Sequence, residues 1–398
     1  MQHKLKIKIP KKKKRPEEEL QYMIKNGNTG MPVYEFKKLL EEFEEKAPSW
    51  MAGFIRCLIY GTCPPEDGFK KINSGTFKTV YAFQTRAVSI EKIQDKDRDK
   101  ELYSLLRKIK GCPGVMFPIE TYYFLGFKFN IMNLCIAGDL RNIMYELTDP
   151  KSPITVPRVL RNLYELGFTL LQMHKTGIYP TDMKPENILF CRCVKTHFLT
   201  IADLDECILG NDFIGDELKA YQSKTLVEKG GFLTQTGRRT YPSTRGYNMT
   251  HYYRVFKLPI SRMEAMFEGW YAYAHMYLEV YSYLMEKTTK NNKKRAEMYA
   301  GKYGWDFRRP ARIDRFKNSA DYLALKMYKI IRSGTNYKDY INYNGYRITK
   351  EGKIIDEKSW EKYFNDVIVK EYDMKNRKTW YENIGKEFEE FKKDYNIV

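Results

Sequence analysis

The chain has 398 residues and a mass of 47.4 kDa, with 69 Lys and Arg against 50 Asp and Glu, a net charge of +19. At ~100–200 residues per domain that length implies two or three folding units, and 43% apolar with 15% aromatic residues excludes a wholly disordered chain. No run approaches the ~18–20 uncharged apolar residues of a membrane helix, the basic N-terminus lacks the apolar segment of a secretory signal, and seven irregularly spaced cysteines do not form a disulfide framework; the chain reads as soluble and from a reducing compartment.

Residues 1–16 carry eight Lys and Arg and no acid; removing them from +19 leaves +11. The run Lys11–Arg15 is dense enough to bind a polyanion or nucleic acid, or to direct nuclear import; a solvated tail without a reader is the plainer alternative. Phe36, Leu39, Leu40 and Phe43 recur at helical spacing, and a second short helix is expected over Trp50–Tyr60, closed by Gly61 and Pro64-Pro65. Strands are expected at Phe69–Ile72, Val80–Phe83 and Ala87–Ile93, then a charged helix near Lys100–Lys110 and two strands within Met116–Phe129. The pattern turns helical over Val159–Lys175, forms a strand pair at Asn187–Phe190 and Phe198–Ala202, and returns to a long apolar helix at Glu264–Glu286. A hairpin near Tyr346–Ile355 and two further helices follow, the last bearing Trp380, Ile384, Phe388 and Phe391. Small strands followed by helices is an α+β order.

The most informative stretch is Leu170–Phe190, where a helix ends, the chain turns, and polar groups cluster before an apolar strand. Phosphoryl transfer needs such a set: a carboxylate for the incoming hydroxyl, a cation for the moving group, an oxygen ligand for magnesium. Asp182-Met-Lys-Pro-Glu-Asn-Ile-Leu189 resembles the catalytic loop of the protein-kinase superfamily, with the D-x-x-x-x-N spacing intact. By that resemblance Asp182 orients the nucleophile and takes its proton, Lys184 offsets charge on the transferring group in the serine/threonine manner, and Asn187 holds magnesium. Ile201-Ala-Asp-Leu-Asp205 is similar to the D-F-G metal motif, so Asp203 is the second metal ligand, with Asp205 in place of glycine. Ile131–Leu140 resembles the hinge that receives adenine, where Asn133 and Cys135 are the expected contacts, and His174 falls where the family has a packing histidine. The resemblance covers roughly residues 68–285.

The N-terminal motifs are eroded. Asn73-Ser-Gly-Thr-Phe-Lys-Thr-Val80 lies over G-x-G-x-x-G-x-V with only Gly75 kept, the position where backbone must approach phosphate most closely. The third strand reads Ala87-Val-Ser-Ile-Glu-Lys92, so the usual lysine position holds Ser89, Ile90 or Glu91 according to register. Lys92 fits only with a one-residue shift, which turns a strand side chain to the other face. Lys78, at the third-glycine position, is similar to the ATP lysine of the with-no-lysine kinases and is preferred to Lys92. Glu101, on the following helix, is best placed as the lysine's partner. The H-R-D triplet reads Pro180-Thr-Asp182, leaving no arginine to receive an activation-loop phosphate. Cys191, Cys193 and His197 lack a fourth ligand for zinc.

The resemblance implies a bilobal protein-kinase-like fold, with a small β-rich N-lobe, a larger helical C-lobe and extensions at both ends. The expected bounds are a basic tail over 1–16, a helical extension over 17–66, an N-lobe over 67–135, a C-lobe over 136–290, and its remainder with a C-terminal extension over 291–398. The expected activity is transfer of the γ-phosphoryl of Mg-ATP to serine or threonine hydroxyls of a protein substrate. Alternatives are an inactive scaffold with this fold and a basic nucleic-acid-binding protein. The Lys-, Asn- and Tyr-rich composition is similar to kinases of large DNA viruses, with an intracellular, nuclear or virion-associated location and no membrane contact as expectations.

Overall fold

The computed structural model describes residues 16–25, 33–60, 68–74, 78–93, 96–109, 114–116, 118–135, 138–140, 142–143, 156–180, 183–192, 197–204, 207–215, 217–218, 261–288, 327, 329, 340–343, 346–349 and 357–370. The basic run Lys11–Arg15 and the expected helix around Trp380 lie outside them, as do Gly75, Asp182 and Asp205. By its internal contacts the chain divides into two compact units, Met1–Lys96 with Phe117–Leu134, and Asp97–Met116 with Cys135–Val398.

The first unit is a sheet under three helices. Helices α1 (Pro16–Lys25), α2 (Val33–Lys46) and α3 (Ser49–Tyr60) precede strands β1 (Lys70–Ser74), β2 (Lys78–Phe83), β3 (Arg86–Lys92), β4 (Glu120–Phe124) and β5 (Phe127–Asn133). The strands pair antiparallel in the order β1-β2-β3-β5-β4. Gln84 and Thr85 turn β2 into β3, and Leu125-Gly126 turns β4 into β5 with both residues at positive φ (48° and 78°), as a two-residue hairpin matched to strand twist requires. Side chains alternate across each strand, which gives the sheet two unlike faces. One carries Tyr81, Val88, Ile90, Phe127, Phe129 and Ile131 and packs on Leu20, Phe43, Met51, Phe54, Ile55 and Leu58 of the helices. Phe54 sits 4.7 Å from Phe69 and 5.1 Å from Tyr81, ring centre to ring centre. Each such buried side chain contributes about 1.5–3 kcal/mol. The other face carries Lys78, Ser89, Glu91, Lys128 and Asn130, developed below.

The second unit holds α4 (Lys96–Lys108), α5 (Val156–Lys175), the hairpin β7 (Ile188–Arg192) and β8 (His197–Ile201), the short pairs β6 (Ile178–Tyr179) with β9 (Ile208–Leu209) and β10 (Phe213–Ile214) with β11 (Glu217–Leu218), and α6 (Arg262–Thr288). Its core runs through Leu163, Leu166, Leu170 and Met173 of α5 and Trp270, Tyr273, Met276 and Val280 of α6. Tyr273 Oη donates to the Leu163 carbonyl at 2.6 Å, so the buried phenol is satisfied across the helix pair. Helix α7 (Glu357–Tyr363) adds Trp360, fully buried and edge-on to Phe267 at 4.9 Å. The architecture is α+β: a five-stranded antiparallel sheet with helices, then a helix-rich unit. No helix among the described residues is long and apolar enough to cross a membrane.

Two sequence expectations need correction. The late hairpin is β12 (Tyr340–Tyr343) with β13 (Tyr346–Thr349), a strand earlier than expected. Tyr343 pairs with Tyr346, leaving only Asn344-Gly345 between them, the dipeptide that favours a tight hairpin turn. Cys135 and Cys191 form a disulfide across 56 residues of sequence; irregular spacing cannot reveal a pair that the fold brings to a Cα separation of 4.4 Å.

Candidate active site

The candidate residues divide between the two units. In the second, α5 ends at Lys175, Gly177 takes a positive φ of 81°, and β6 leads into the loop that contains Lys184. That loop is anchored from below: Met183 and Pro185 are buried, with Met183 in the main core. Lys184 is extended (φ −155°, ψ 159°) and half-buried, and Pro185–Asn187 forms a single 3₁₀ turn, a fit for proline at the first helical position. The Asn187 N–H donates to the Lys184 carbonyl at 2.9 Å, and the Ala202 N–H donates to the Asn187 carbonyl at 2.8 Å. Because Ile188 pairs with Ile201, the β7–β8 hairpin sets Asn187 opposite Ala202, with Asp203 next in line. Asn187 and Asp203 thus lie at one end of the hairpin backbone, and side-chain oxygens of their types are ones magnesium accepts. Asp203 is exposed and has φ +59°, a left-handed conformation uncommon outside glycine and characteristic of functional positions. Leu204 beside it is buried in the core. No cluster of three or more His, Cys, Asp or Glu suited to a metal occurs among the described residues.

The segment after Asp203 is held by two arginines that sequence reading missed. Arg98 of α4 donates through Nη1 to Asp212 Oδ1 at 2.6 Å and through Nη2 to the Cys207 carbonyl, while Asp212 Oδ2 accepts the Leu209 N–H at 2.8 Å. Arg262 lies 4.8 Å over the Phe213 ring and donates to the Gly215 carbonyl at 3.2 Å. Glu101 is half-buried on α4, and its charge reinforces the protonated state of Arg98. His174 is a packing residue: it stacks on Tyr179 at 5.5 Å and meets Trp270 edge-on at 6.2 Å. Neither ring nitrogen has a hydrogen-bond partner, and burial pushes its pKa down to about 3.

In the first unit, Lys78 opens β2 directly opposite Glu91 of β3, which is directly opposite Lys128 of β5. The Lys78 ammonium is 3.0 Å from Glu91 Oε1, and that of Lys128 is 3.3 Å from Oε2. Ser89 Oγ donates to Oε1 at 2.8 Å, and Asn130 Nδ2 lies at 3.5 Å from the same oxygen. Lys92 has the opposite environment. Its side chain is 59% exposed and its ammonium pairs with Glu19 of α1 at 2.6 Å. Ser89 and Glu91 share one face of β3, and Ile90 points into the apolar core on the other. Asn133, at the end of β5, is exposed and accepts from Arg86 Nη1 at 3.2 Å. The next residue's N–H, that of Leu134, donates to the Thr85 carbonyl at 2.9 Å. In the second unit Cys135 is bound to Cys191, and its carbonyl accepts the Gly138 N–H at 3.0 Å. Lys128 was legible only as a charge between Phe127 and Phe129, an alternation that puts one cation on the polar face of an otherwise apolar run.

Among known proteins, the chain is similar to serine/threonine-protein kinase ULK3 of Rattus norvegicus, 32% identical over 154 residues, which cover 35% of this chain and 32% of that protein. It is similar to the MAPK/MAK/MRK overlapping kinase of Mus musculus, 26% identical over 148 residues, 34% of each protein. A solved BubR1 kinase domain aligns at 17% identity and a TM-score of 0.31, covering 37% of this chain and 48% of that chain. No family model matches the chain. The chain spans about a third or less of the length of the curated relatives it matches. Over about a third of its own length, then, the protein is protein-kinase-like.

Proposed function

We propose that the protein is a serine/threonine protein kinase that transfers the γ-phosphoryl of Mg-ATP to a protein hydroxyl. The observation that supports this reading is the backbone geometry at the hairpin end: the Ala202 N–H bonds to the carbonyl of Asn187, three residues beyond Lys184, and Asp203 follows Ala202 in the chain. Asp182, read from the sequence motif, would accept the proton of the substrate hydroxyl and direct its lone pair at phosphorus. Lys184 would offset the charge that spreads over the transferring group, which passes through a loose transition state stabilised chiefly by position and charge. Asn187 and Asp203 would hold magnesium, which when bound would supply positive charge to offset that of the phosphates. Lys78 would steady the phosphates from the sheet. Similarity to serine/threonine kinases supports the reaction class.

The test is full-length protein incubated with Mg-ATP labelled in the γ-phosphate, beside Asp182→Asn. Label on the wild type alone is the expected result; equal label on the variant would remove Asp182 from its role. A second reading, a scaffold with this fold and no turnover, draws on one observation: the third strand offers a buried acid, Glu91, in the neighbourhood where a lysine is usual. Failure of the wild type to bind or turn over Mg-ATP selects that reading.

A further inference from the structure

We infer that Cys135 and Cys191 form a reversible redox latch, opened and closed by a low-molecular-weight thiol–disulfide couple such as glutathione, on the segment through which the chain passes from the first unit to the second. The inference rests on the fold alone and holds whatever reaction the protein performs. The last passage between the units falls between Leu134 and Cys135. Leu134 is held in the first unit by its N–H bond to the Thr85 carbonyl at 2.9 Å, and Cys135 is held in the second by its bond to Cys191 of β7. The disulfide is therefore the first tie the chain meets after that passage. Cys191 itself lies four residues beyond Asn187, on the strand that leaves the candidate site.

Two observations separate a latch from a permanent staple. First, backbone contacts hold the two segments together without the sulfur bond. The Phe190 N–H donates to the Gly138 carbonyl at 2.8 Å, the Gly138 N–H donates to the Cys135 carbonyl at 3.0 Å, and Asp139 pairs with Leu189 in an isolated antiparallel bridge. The opened thiols therefore stay neighbours, and closing needs neither unfolding nor a search across the intervening chain. Second, Cys191 is buried at 6% exposure, whereas Cys135 is half-buried and keeps the greater share in solvent. Accessible disulfides are the labile ones, and the sulfur of Cys135 is the one a dissolved thiolate meets. Its attack breaks the S–S bond, and Cys191 leaves as a thiolate that takes up a proton. A second thiolate attacks the reductant's sulfur in the mixed disulfide at Cys135 and releases that cysteine as a thiol. Two protein thiols and one oxidised molecule of the reductant result, with two electrons passed to the protein; closing reverses both steps with the oxidised couple.

The experiment places the full-length protein in buffers of graded reduced-to-oxidised glutathione ratio. Thiols are read by differential alkylation and mass spectrometry, and the backbone by hydrogen exchange. Cys135 and Cys191 should gain and lose alkylation together and reversibly, with unchanged circular dichroism. Cys57 and Cys207 are buried thiols, so they should stay unlabelled throughout, and their labelling reports unfolding. Opening should speed amide exchange in the peptides carrying Gly138 and Phe190 by about tenfold, the scale on which one backbone hydrogen bond protects, and leave exchange in β3 unchanged. Cys191→Ser should show the faster exchange in every buffer, with Cys191→Ala in its place if the serine variant does not fold. A bond that opens only where Cys57 and Cys207 also become labelled is a permanent staple and overturns the latch. A pair still alkylated in oxidised glutathione overturns it as well, and so does exchange at Gly138 and Phe190 that ignores the state of the pair.

Discussion

The candidate residues of the two units differ in how their chemistry is encoded. In the loop from Met183 to Asn187, the candidate groups are neighbours in sequence, fixed by short-range hydrogen bonds, by Met183 in the core and by the buried Pro185. In the sheet they are far apart in sequence: Lys78, Glu91 and Lys128 come from three strands and meet only through register. A loop of the first kind tolerates little substitution, since each residue fixes the next. A sheet of the second kind can relocate a cation from one strand to its neighbour and keep the charge within about 5 Å, the spacing of paired strands. The eroded motif and the retained one are two outcomes of that difference.

The comparison breaks most sharply at the loop. Asp203→Ala and Asp182→Asn should each abolish phosphotransfer, by a thousandfold or more on the scale of about 1.4 kcal/mol per decade, with unchanged circular dichroism. Measurable turnover in Asp203→Ala would mean that the hairpin end is not the metal site. In the sheet the largest effect should fall on Lys78→Met: a contact between charged groups worth about 1.5–3 kcal/mol gives roughly a ten- to hundredfold loss in kcat/KM. Lys92→Met should cost far less, because its partner is Glu19 on the outer helix. A loss at Lys92→Met alone would put the phosphate-binding cation one residue out of the expected register.

A smaller effect concerns the packing histidine. His174 is neutral in the fold, with its pKa pushed down to about 3 by burial, while in the unfolded chain it has its ordinary value of 6.5. Between those values the unfolded state binds the extra proton, so stability is complete above pH 6.5 and falls as pH drops towards 3, by about 1.4 kcal/mol per pH unit. Urea unfolding at pH 7.5 and pH 5 should show this difference in wild type and lose it in His174→Leu. An unchanged slope in the variant would show that the imidazole is not buried. Smallest of all, Lys92→Met should alter stability by no more than about 0.5 kcal/mol in the same assay, as for an exposed ion pair.

What was legible in the sequence follows the same division. The turn at Pro185–Asn187 and the β7–β8 pair could be read because the turn and its following strand lie in one contiguous stretch. Helices with a clear stripe, such as α5 and α6, were found within a few residues. Glu91 stood in the sequence as one of three alternatives, and register alone distinguishes it from Ile90, whose side chain lies in the apolar core. Lys128, the Arg98–Asp212 pair and the Cys135–Cys191 bond join residues 37, 114 and 56 positions apart from their partners. Periodicity has no access to such pairings. The misplaced β12–β13 hairpin is different: Asn344-Gly345 carried the signal, and it was overlooked.

The strand order β1-β2-β3-β5-β4 also constrains how the chain is made. β5 is the last of the five strands to emerge during synthesis, yet it lies between β3 and β4. Until residue 133 has left the ribosome, β3 presents an open edge, with Val88 and Ile90 on one side and an acid, Glu91, on the other still without Lys128. Open strand edges invite pairing with other chains, and late, non-local strand insertion slows folding. A nascent chain halted between β3 and β5 should therefore be the form most dependent on chaperones, and the buried charge on β3 is well placed to keep that edge in solution until its partner arrives.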